Sequence, residues 1–168
     1  MIQLPSILKD FNVLVNGTTF AGRARSVKPP QIKVEMEADR YAGMDGKVQH
    51  DMGMEEMNCT IKMGELSPEL ASLVGRIDEV PITVYGHAEV SPGGASTPIT
   101  LTMRGRVFDQ DIGEMESGKK TDITFSIACT AYKETIDKVV TKDIDFLNGR
   151  RSIGGVDVLQ SKRANLKL

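Results

Sequence analysis

The sequence predicts a mainly β protein, an antiparallel β-sandwich or barrel with one short α-helix. Three observations support this class. Apolar and polar residues alternate along several segments, turn residues such as Asn16-Gly17 separate those segments, and a single segment has helical spacing. Strand and helix patterns do not alternate along the chain, so a parallel doubly wound sheet is not expected.

The first predicted elements are short. Residues 11–15 form a strand, Asn16-Gly17 gives a hairpin turn, and Pro29-Pro30 interrupts regular structure. From Ile32 to Asp39, apolar residues alternate with charged ones, a pattern typical of a half-solvated antiparallel strand. The Gly-rich residues that follow, within 41–57, are expected to form an extended loop.

The remaining elements are longer. Alternation over 57–63 precedes the predicted helix, Ser67 to Ile77, in which Ser67 is the N-cap and Pro68 is N1. The helix has one apolar stripe, formed by Leu70, Leu73, Val74 and Ile77. Alternating segments follow at 82–90, 99–107 and 123–131, with a turn at 91–94, and a C-terminal segment, 144–168, ends in a basic tail.

Size and composition exclude several classes of protein. The 168 residues fit one domain, and 21 basic against 23 acidic residues give a net charge of −2, unlike a basic nucleic-acid binder. Cys59 and Cys129 are too far apart for a zinc motif or a disulfide-rich scaffold. The N-terminus lacks a signal-peptide pattern, and no apolar run approaches the roughly 20 residues that span a bilayer. The expected compartment is therefore the cytoplasm in which the chain is made, with reduced thiols.

No catalytic, metal or cofactor site is predicted, and we expect a protein that is not an enzyme. His50 and Asp51 are adjacent in an extended segment, so their side chains point apart. Cys59 and Cys129 lie on apolar strand faces, where cysteine acts as a small hydrophobe. The acidic residues 109–116 resemble half a calcium loop but lack its full ligand pattern, so a solvated turn is favoured.

Two other features leave alternatives open. The strand faces opposite the core carry small hydroxyl residues, which either reflect plain β-propensity or line a wet cavity, channel or subunit boundary. Of nine methionines, Met36, Met57, Met63 and Met103 are assigned to core faces. Others lie with Tyr41 in or beside the Gly-rich loop, which either packs on a partner or folds back on its own core.

Several motifs together resemble one known family. They are Asn16-Gly17-Thr18-Thr19-Phe20-Ala21-Gly22, Arg40-Tyr41-Ala42-Gly43-Met44-Asp45, Asp51-Met52-Gly53-Met54-Glu55, Leu101-Thr102-Met103-Arg104-Gly105 and Ile153-Gly154-Gly155-Val156-Asp157-Val158-Leu159. Over nearly its whole length, the sequence resembles the major tail tube proteins of contractile-tailed bacteriophages and R-type pyocins.

The resemblance implies a structural role in the virion tail. Such proteins form hexameric rings that stack into a hollow tube, in which each subunit adds an antiparallel sheet to a continuous barrel. The implied partners are further copies of the chain, the sheath, the tape-measure protein, and the baseplate and tail-terminator proteins. DNA passes through the lumen without specific binding, and low net charge fits such a passage because a basic wall would retain phosphates.

On this basis, two sets of candidate residues are assigned. The inter-subunit or inter-ring contact set is Tyr41, Met44, Asp45, Met52, Met54 and Met57, with 144–168 as a second contact segment. The lumen-facing set is Thr100, Thr102, Arg104, Thr124 and Ser126. The helix is expected to cover the outer side of the sheet. Two alternatives remain: a tube protein of a type VI secretion or other contractile injection system, and a monomeric small-ligand β-barrel.

Overall fold

The computed structural model describes residues 5–90 and 94–167, within which the chain forms twelve strands and two short helices. The strands of the first half are β1 (Ile7–Val15), β2 (Thr18–Thr19), β3 (Ala24–Lys28), β4 (Val34–Asp39), β5 (Val48–Met54) and β6 (Met57–Met63). Those of the second half are β7 (Val80–Glu89), β8 (Ser96–Asp111), β9 (Ile123–Ile136), β10 (Val139–Asp145), β11 (Arg150–Ile153) and β12 (Val156–Asp157). The helices are α1 (Pro68–Ala71) and α2 (Gln160–Leu166). The mainly antiparallel β class is confirmed.

Strand β9 is the centre of a ten-stranded sheet. One of its edges pairs with β8, and the sheet continues through β7 to β1 and β2. Its other edge is divided, because the first half of β9 pairs with β6 and the second half pairs with β10. From β6 the sheet continues to β3, and from β10 it continues to β11 and β12. The long strands β8 and β9 therefore hold both branches together.

The core lies on one face of this sheet. Alternate residues of β6, β7, β8 and β9 are buried there, and Phe20, Leu70 and Leu73 cover them from the connecting segments. Cys59 and Cys129 lie among these apolar residues, as the sequence predicts. Apolar burial of this kind is the main stabilising contribution to the fold.

The first hairpin confirms its sequence prediction. Asn16 and Gly17 both have positive φ, 49° and 81°, as a two-residue type I′ turn requires. The turn sets Val15 opposite Thr18. The backbone NH of Asn16 also donates to the Pro81 carbonyl at 2.8 Å, which ties the turn to β7.

A β-bulge changes the predicted alternation in β9. The sequence places Ala131 on the core face and Tyr132 on the opposite face, but Ala131 is half-buried and Tyr132 is buried in the core. Arg104 of β8 pairs with Ala131 and the next residue, Gly105, pairs with Cys129, so Thr130 is an extra residue in β9. One extra residue reverses the faces that follow it.

The predicted helix is shorter than its apolar spacing indicates. Helix α1 has a single turn, Pro68–Ala71, and the predicted stripe residue Ile77 is 85% exposed. Gly75 has a positive φ of 76°, and its NH donates to the Val107 carbonyl at 3.0 Å. This contact diverts the chain from the helical path towards β8. Leu70 and Leu73 still pack on the core, as predicted.

The predicted loop is partly a strand. Residues 48–54 form β5, which pairs with β4 in a two-stranded sheet of their own. We call residues 34–54 the hairpin arm. Among the described residues, β4 pairs with β5 alone, so the placement of Met36 in the core is wrong, and its side chain is 47% exposed.

The C-terminal segment contains a helix that the sequence pattern does not reveal. Helix α2 has no buried residue, and Arg163 anchors it through an ion pair with Asp157 and a hydrogen bond to the Gly149 carbonyl at 3.0 Å. The Arg163 hydrogen bond lowers the pKa of Asp157. The turn predicted at 91–94 falls largely on residues 91–93, which are outside the described residues. Across the described ranges, none of the helices has the length and apolar character needed to cross a membrane.

Candidate assembly surfaces

The hairpin arm exposes apolar side chains that the chain itself does not bury. The arm has four large exposed hydrophobic residues: Met36, Tyr41, Val48 and Met52. An isolated two-stranded hairpin is only marginally stable in water, and exposed apolar residues on one are typical of a contact surface. The contact of this segment with a partner remains a prediction, and Met54, at the end of the segment, packs against the core of its own chain.

The tip of the arm is ordered by its own contacts. The Arg40 side chain donates to the Met44 carbonyl at 2.9 Å, and the Met44 NH donates to the Tyr41 carbonyl at 3.2 Å. The rings of Tyr41 and His50 meet edge to face, with centroids 6.0 Å apart. Asp45 is exposed on this tip. These contacts within the arm give its tip a defined shape.

Five of the six predicted contact residues lie on the arm and one does not. Tyr41, Asp45 and Met52 are exposed, and Met44 and Met54 are half-buried. Met57 begins β6 and is 1% exposed, because its side chain points into the core opposite Cys129. Its assignment to the contact surface is therefore wrong for the folded chain.

One ion pair ties the base of the arm to the C-terminal strands. Asp51 of β5 and Arg151 of β11 lie 2.5 Å apart, and the Arg151 side chain is only 10% exposed. The hydrogen bond from Arg151 and a second one from the Gly53 NH lower the pKa of Asp51. Asp51 therefore stays ionised at pH values below the usual range for an aspartate. The ion pair with Arg151 holds the arm against β11.

Sequence reasoning did not identify Arg151. A single arginine in a short strand has no motif or spacing that distinguishes it from a solvated one, and its partner lies 100 residues away. A cavity of about 570 Å³ lies next to this pair, between the arm and the C-terminal segment. Its apolar lining includes Met52, Met54 and Phe146.

The five predicted lumen-facing residues lie on one polar face of the main sheet. Thr102 is exposed, and Thr100, Arg104, Thr124 and Ser126 are half-buried. The pairing extends this face across neighbouring strands. Thr102 is opposite Thr83 of β7 and Lys133 of β9, and Ser126 is opposite Thr60 of β6 and Asp109 of β8.

The positive charge of Arg104 is offset on this polar face. Its guanidinium lies 3.0 Å from Glu79 and 3.4 Å from Asp145. Asp145 is buried, and burial alone would raise its pKa, but hydrogen bonds from Asn148 and the charge of Arg104 lower it. Arg104 is therefore part of an ion-paired cluster with two carboxylates and is not a free cation.

The groups considered for catalysis are separated by the structure. His50 contacts Tyr41, whereas Asp51 points to Arg151, so the two side chains diverge as expected. Burial raises the pKa of Cys59 to about 12 and that of Cys129 to about 11, which makes both thiols poor nucleophiles. Among the described residues, no three His, Cys, Asp or Glu side chains lie close enough to hold a metal ion.

Comparison with known proteins agrees with this organisation. The family model for phage tail tube protein FII matches residues 5–166. The tail tube protein of Escherichia phage P2 is 32% identical over 173 aligned positions, which cover 99% of this chain and 100% of that protein. The major tail tube protein of Serratia phage KSP20 is 32% identical over 88% of this chain and 86% of that protein.

A solved structure shares the fold. A chain in the cryo-EM structure of the anti-feeding prophage baseplate aligns with a TM-score of 0.54 and 13% identity, over 82% of this chain and 99% of that chain. Such a distant likeness shows the fold alone. The family model and the two phage relatives each cover most of the sequence. The range matched by the family model, residues 5–166, includes all the motifs on which the resemblance was based. The chain therefore belongs to the phage tail tube protein FII family and is a structural subunit of a phage tail tube.

Proposed function

We propose that this subunit assembles into hexameric rings that stack into the hollow inner tube of a contractile tail, the conduit for genome delivery. The observation that carries the proposal is the hairpin arm, whose apolar residues are exposed on an element outside the main sheet. Ring closure also covers free sheet edges, which are a hazard for a monomer.

The arm makes the contact between neighbouring subunits or stacked rings. Tyr41 and Asp45 at the tip, with Met44, Met52 and Met54 along β5 and the turn, supply its apolar and charged atoms. Such a contact joins two different surfaces of the same chain, so it is heterologous and can generate rings or filaments. The C-terminal segment, 144–168, supplies a second contact surface through its exposed apolar residues.

The polar face of the main sheet lines the lumen. Hydroxyl side chains such as Thr102 and Ser126 keep such a wall wet, and the Glu79 and Asp145 carboxylates offset Arg104. Lys62, Arg106 and Lys133 share this face with Asp109 and Asp111, so its cations are interspersed with carboxylates. A mixed wall displaces few of the counterions of DNA, so DNA passes without specific binding. Further partners are the sheath, tape-measure, baseplate and tail-terminator proteins. No enzymatic activity is part of this role.

Negative-stain electron microscopy of the concentrated protein tests the assembly. We expect rings or hollow tubes of uniform diameter. The variants Met44→Asp and Asp45→Lys should abolish them while leaving the circular dichroism spectrum unchanged, and Ile77→Asp, an exposed position outside the arm, is the matched control. Monomers alone, even with a baseplate initiator added, would refute the assembly, and normal tubes from both arm variants would refute the role of the tip.

Chemical labelling tests the assignment of the lumen. Thr102→Cys should react with a bulky maleimide in free subunits and resist it in assembled tubes, because the reagent cannot diffuse freely along a narrow lumen. Ile77→Cys, whose side-chain position is 85% exposed and lies outside the arm, the C-terminal segment and the polar face, is the comparison position. Equal labelling of Thr102→Cys in both states would exclude this face as the lumen wall.

A further inference from the structure

The cavity of about 570 Å³ between the hairpin arm and the C-terminal segment is lined largely by apolar side chains. Met52 and Met54 line it from the arm, Ile144 and Phe146 line it from the end of β10, and Leu159 lines it from the start of α2. Methionine side chains are flexible, so they adapt their packing to an apolar group that enters between them. The cavity is therefore suited to an apolar side chain that approaches from outside.

One positive charge at this cavity is not compensated. Four of the five charged side chains in the lining form ion pairs within the chain: Asp51 with Arg151, Asp145 with Arg104, and Arg150 with Asp143. The fifth is Lys162 of α2, which is exposed and has no carboxylate within ion-pair distance in residues 5–90 and 94–167. Its charge acts on Asp51 only at longer range, and that carboxylate is already bound to Arg151. A ligand of the cavity should therefore place a carboxylate beside Lys162.

The connection between β8 and β9 carries the complementary groups. We call residues 112–122 the β8–β9 loop. Met115 in this loop is 76% exposed and is the most exposed methionine of the described chain. A glutamate stands on each side of it: Glu116 pairs with Lys119, whereas Glu114 is exposed and has no cation within ion-pair distance in the described ranges. The loop thus presents an apolar side chain next to an unpaired carboxylate.

The loop and the cavity of one chain lie too far apart to meet. Asp111, the residue before the loop, pairs with Thr124 of β9. Asp145, which lines the cavity, pairs with Ala131 of the same strand. Seven residues of strand extend roughly 23 Å, and residues 112–122 contribute nothing to the cavity lining. A partner for either surface must therefore come from another molecule.

We propose that Met115 of one copy of the chain inserts into this cavity of a neighbouring copy, where Glu114 meets Lys162. The proposal rests on the assembly proposed above and names the surface that meets the C-terminal segment. An apolar side chain enters an apolar lining, and an unpaired carboxylate meets an unpaired lysine, so charge orients the contact. The contact joins two different surfaces, which leaves a free loop on one copy and a free cavity on the other, so it can repeat.

Exchange of the two charges tests the pairing. Glu114→Lys and Lys162→Glu each place like charges together, and we expect each to raise the protein concentration needed for tubes roughly tenfold, as measured by sedimentation. The double variant should restore assembly, because the charges are again opposite. The matched control combines Glu114→Lys with Lys138→Glu, an exposed position on the turn after β9, which keeps the same net charge and should not restore assembly.

Crosslinking between two cysteine variants locates the inserted side chain. Met115→Cys in the loop and Val158→Cys in the cavity lining, one of them with an affinity tag, are mixed under assembly conditions and treated with a short bis-maleimide. We expect a heterodimer yield roughly tenfold or more above control, since docking raises the effective concentration of the two thiols. The control replaces Val158→Cys with Val139→Cys, an exposed position at the other end of β10. The native thiols are buried and do not compete.

The outcomes separate this inference from the proposed function. Tubes with the heterodimer, and rescue by the charge exchange, support both. Normal tubes from both single charge variants, without the heterodimer, overturn this contact and leave the proposed tube intact. A heterodimer without rings or tubes supports the contact and refutes the tube. Absence of both overturns both.

Two further results would overturn the proposal. Failure of the double charge variant to assemble would show that Glu114 and Lys162 do not face each other. Crosslinking of Val158→Cys to a different tail protein in whole particles, without any link to Met115→Cys, would assign the cavity to another occupant.

Discussion

The main sheet and the hairpin arm are both antiparallel β structure, but they are stabilised in different ways. Residues such as Phe125 and Ile127 of β9 are fully buried, with pairing partners on both edges of the strand. The arm has two strands, exposed methionines and one ion pair to the C-terminal strands. The comparison indicates that the sheet carries the stability of the subunit, whereas the arm adds exposed apolar surface, which we propose for contacts between subunits.

Truncating a buried side chain gives the largest expected difference between the two regions. Phe125→Ala removes a fully buried ring from the core, and we expect it to lower the free energy of unfolding by roughly 3–5 kcal/mol. Met52→Ala on the arm should change it by less than about 0.5 kcal/mol. Urea denaturation of both variants measures this, and equal losses would show that the arm is part of the cooperative core.

A glycine substitution tests the bulge and has a smaller expected effect. A Cβ at Gly105 would lie 2.3 Å from the Ala128 carbonyl oxygen, so Gly105→Ala must displace the backbone of β9. We expect a loss of roughly 3 kcal/mol, at the upper end for overpacked sites. Gly46→Ala at the arm tip, where a Cβ meets no atom within 4 Å, is the matched control. Thermal unfolding compares them, and a stable Gly105→Ala would contradict the close approach of the strands.

The ion pair at the base of the arm should affect order more than stability. Asp51→Asn removes the carboxylate that Arg151 binds, so we expect faster amide hydrogen exchange in β5 and unchanged protection in β9. Glu37→Gln, on the same hairpin but in no ion pair among the described residues, should leave exchange unaltered. If both variants exchange like the parent protein, the arm is held by other contacts.

The pH dependence of this ion pair is the smallest expected effect. The pKa of Asp51 is lowered in the folded chain, so the ionised pair is complete above the ordinary aspartate pKa of about 3.9 and is lost as the pH falls through the lowered value. The difference in β5 exchange between the parent protein and Asp51→Asn should therefore be constant at neutral pH and disappear in acid. A difference that persists at the lowest pH would assign it to another cause.

The fold class and several elements follow from local sequence. The turn at Asn16-Gly17 is predictable because a two-residue hairpin requires positive φ, which these residues adopt readily. Five of the six contact candidates lie on the arm, where Tyr41, Asp45 and Met52 are exposed, and their role in a contact stays a prediction. The predicted polar face of the sheet is present, since buried and more exposed residues alternate on β8 from Leu101 to Val107.

Prediction from the sequence failed where contacts with a distant part of the chain changed the local structure. Tyr132 reversed its face because β9 carries an extra residue opposite β8, and a bulge has no mark in the alternation itself. The helix after Ser67 stopped early because Gly75 binds the Val107 carbonyl. Met36 is exposed because β4 lies outside the main sheet. Met57 lies in the core, as its strand alternation predicts, and not on the contact surface, because β6 joins the main sheet.

The sequence by itself determined a mainly β subunit, its first hairpin, its buried cysteines and its family, because these depend on residue periodicity, local turn geometry and motifs. Only the tertiary structure decided where β9 changes register, which methionines are exposed, and that Arg151 holds Asp51. These features depend on contacts between residues far apart in the chain, and the energy of such a contact is absent from any short stretch of sequence.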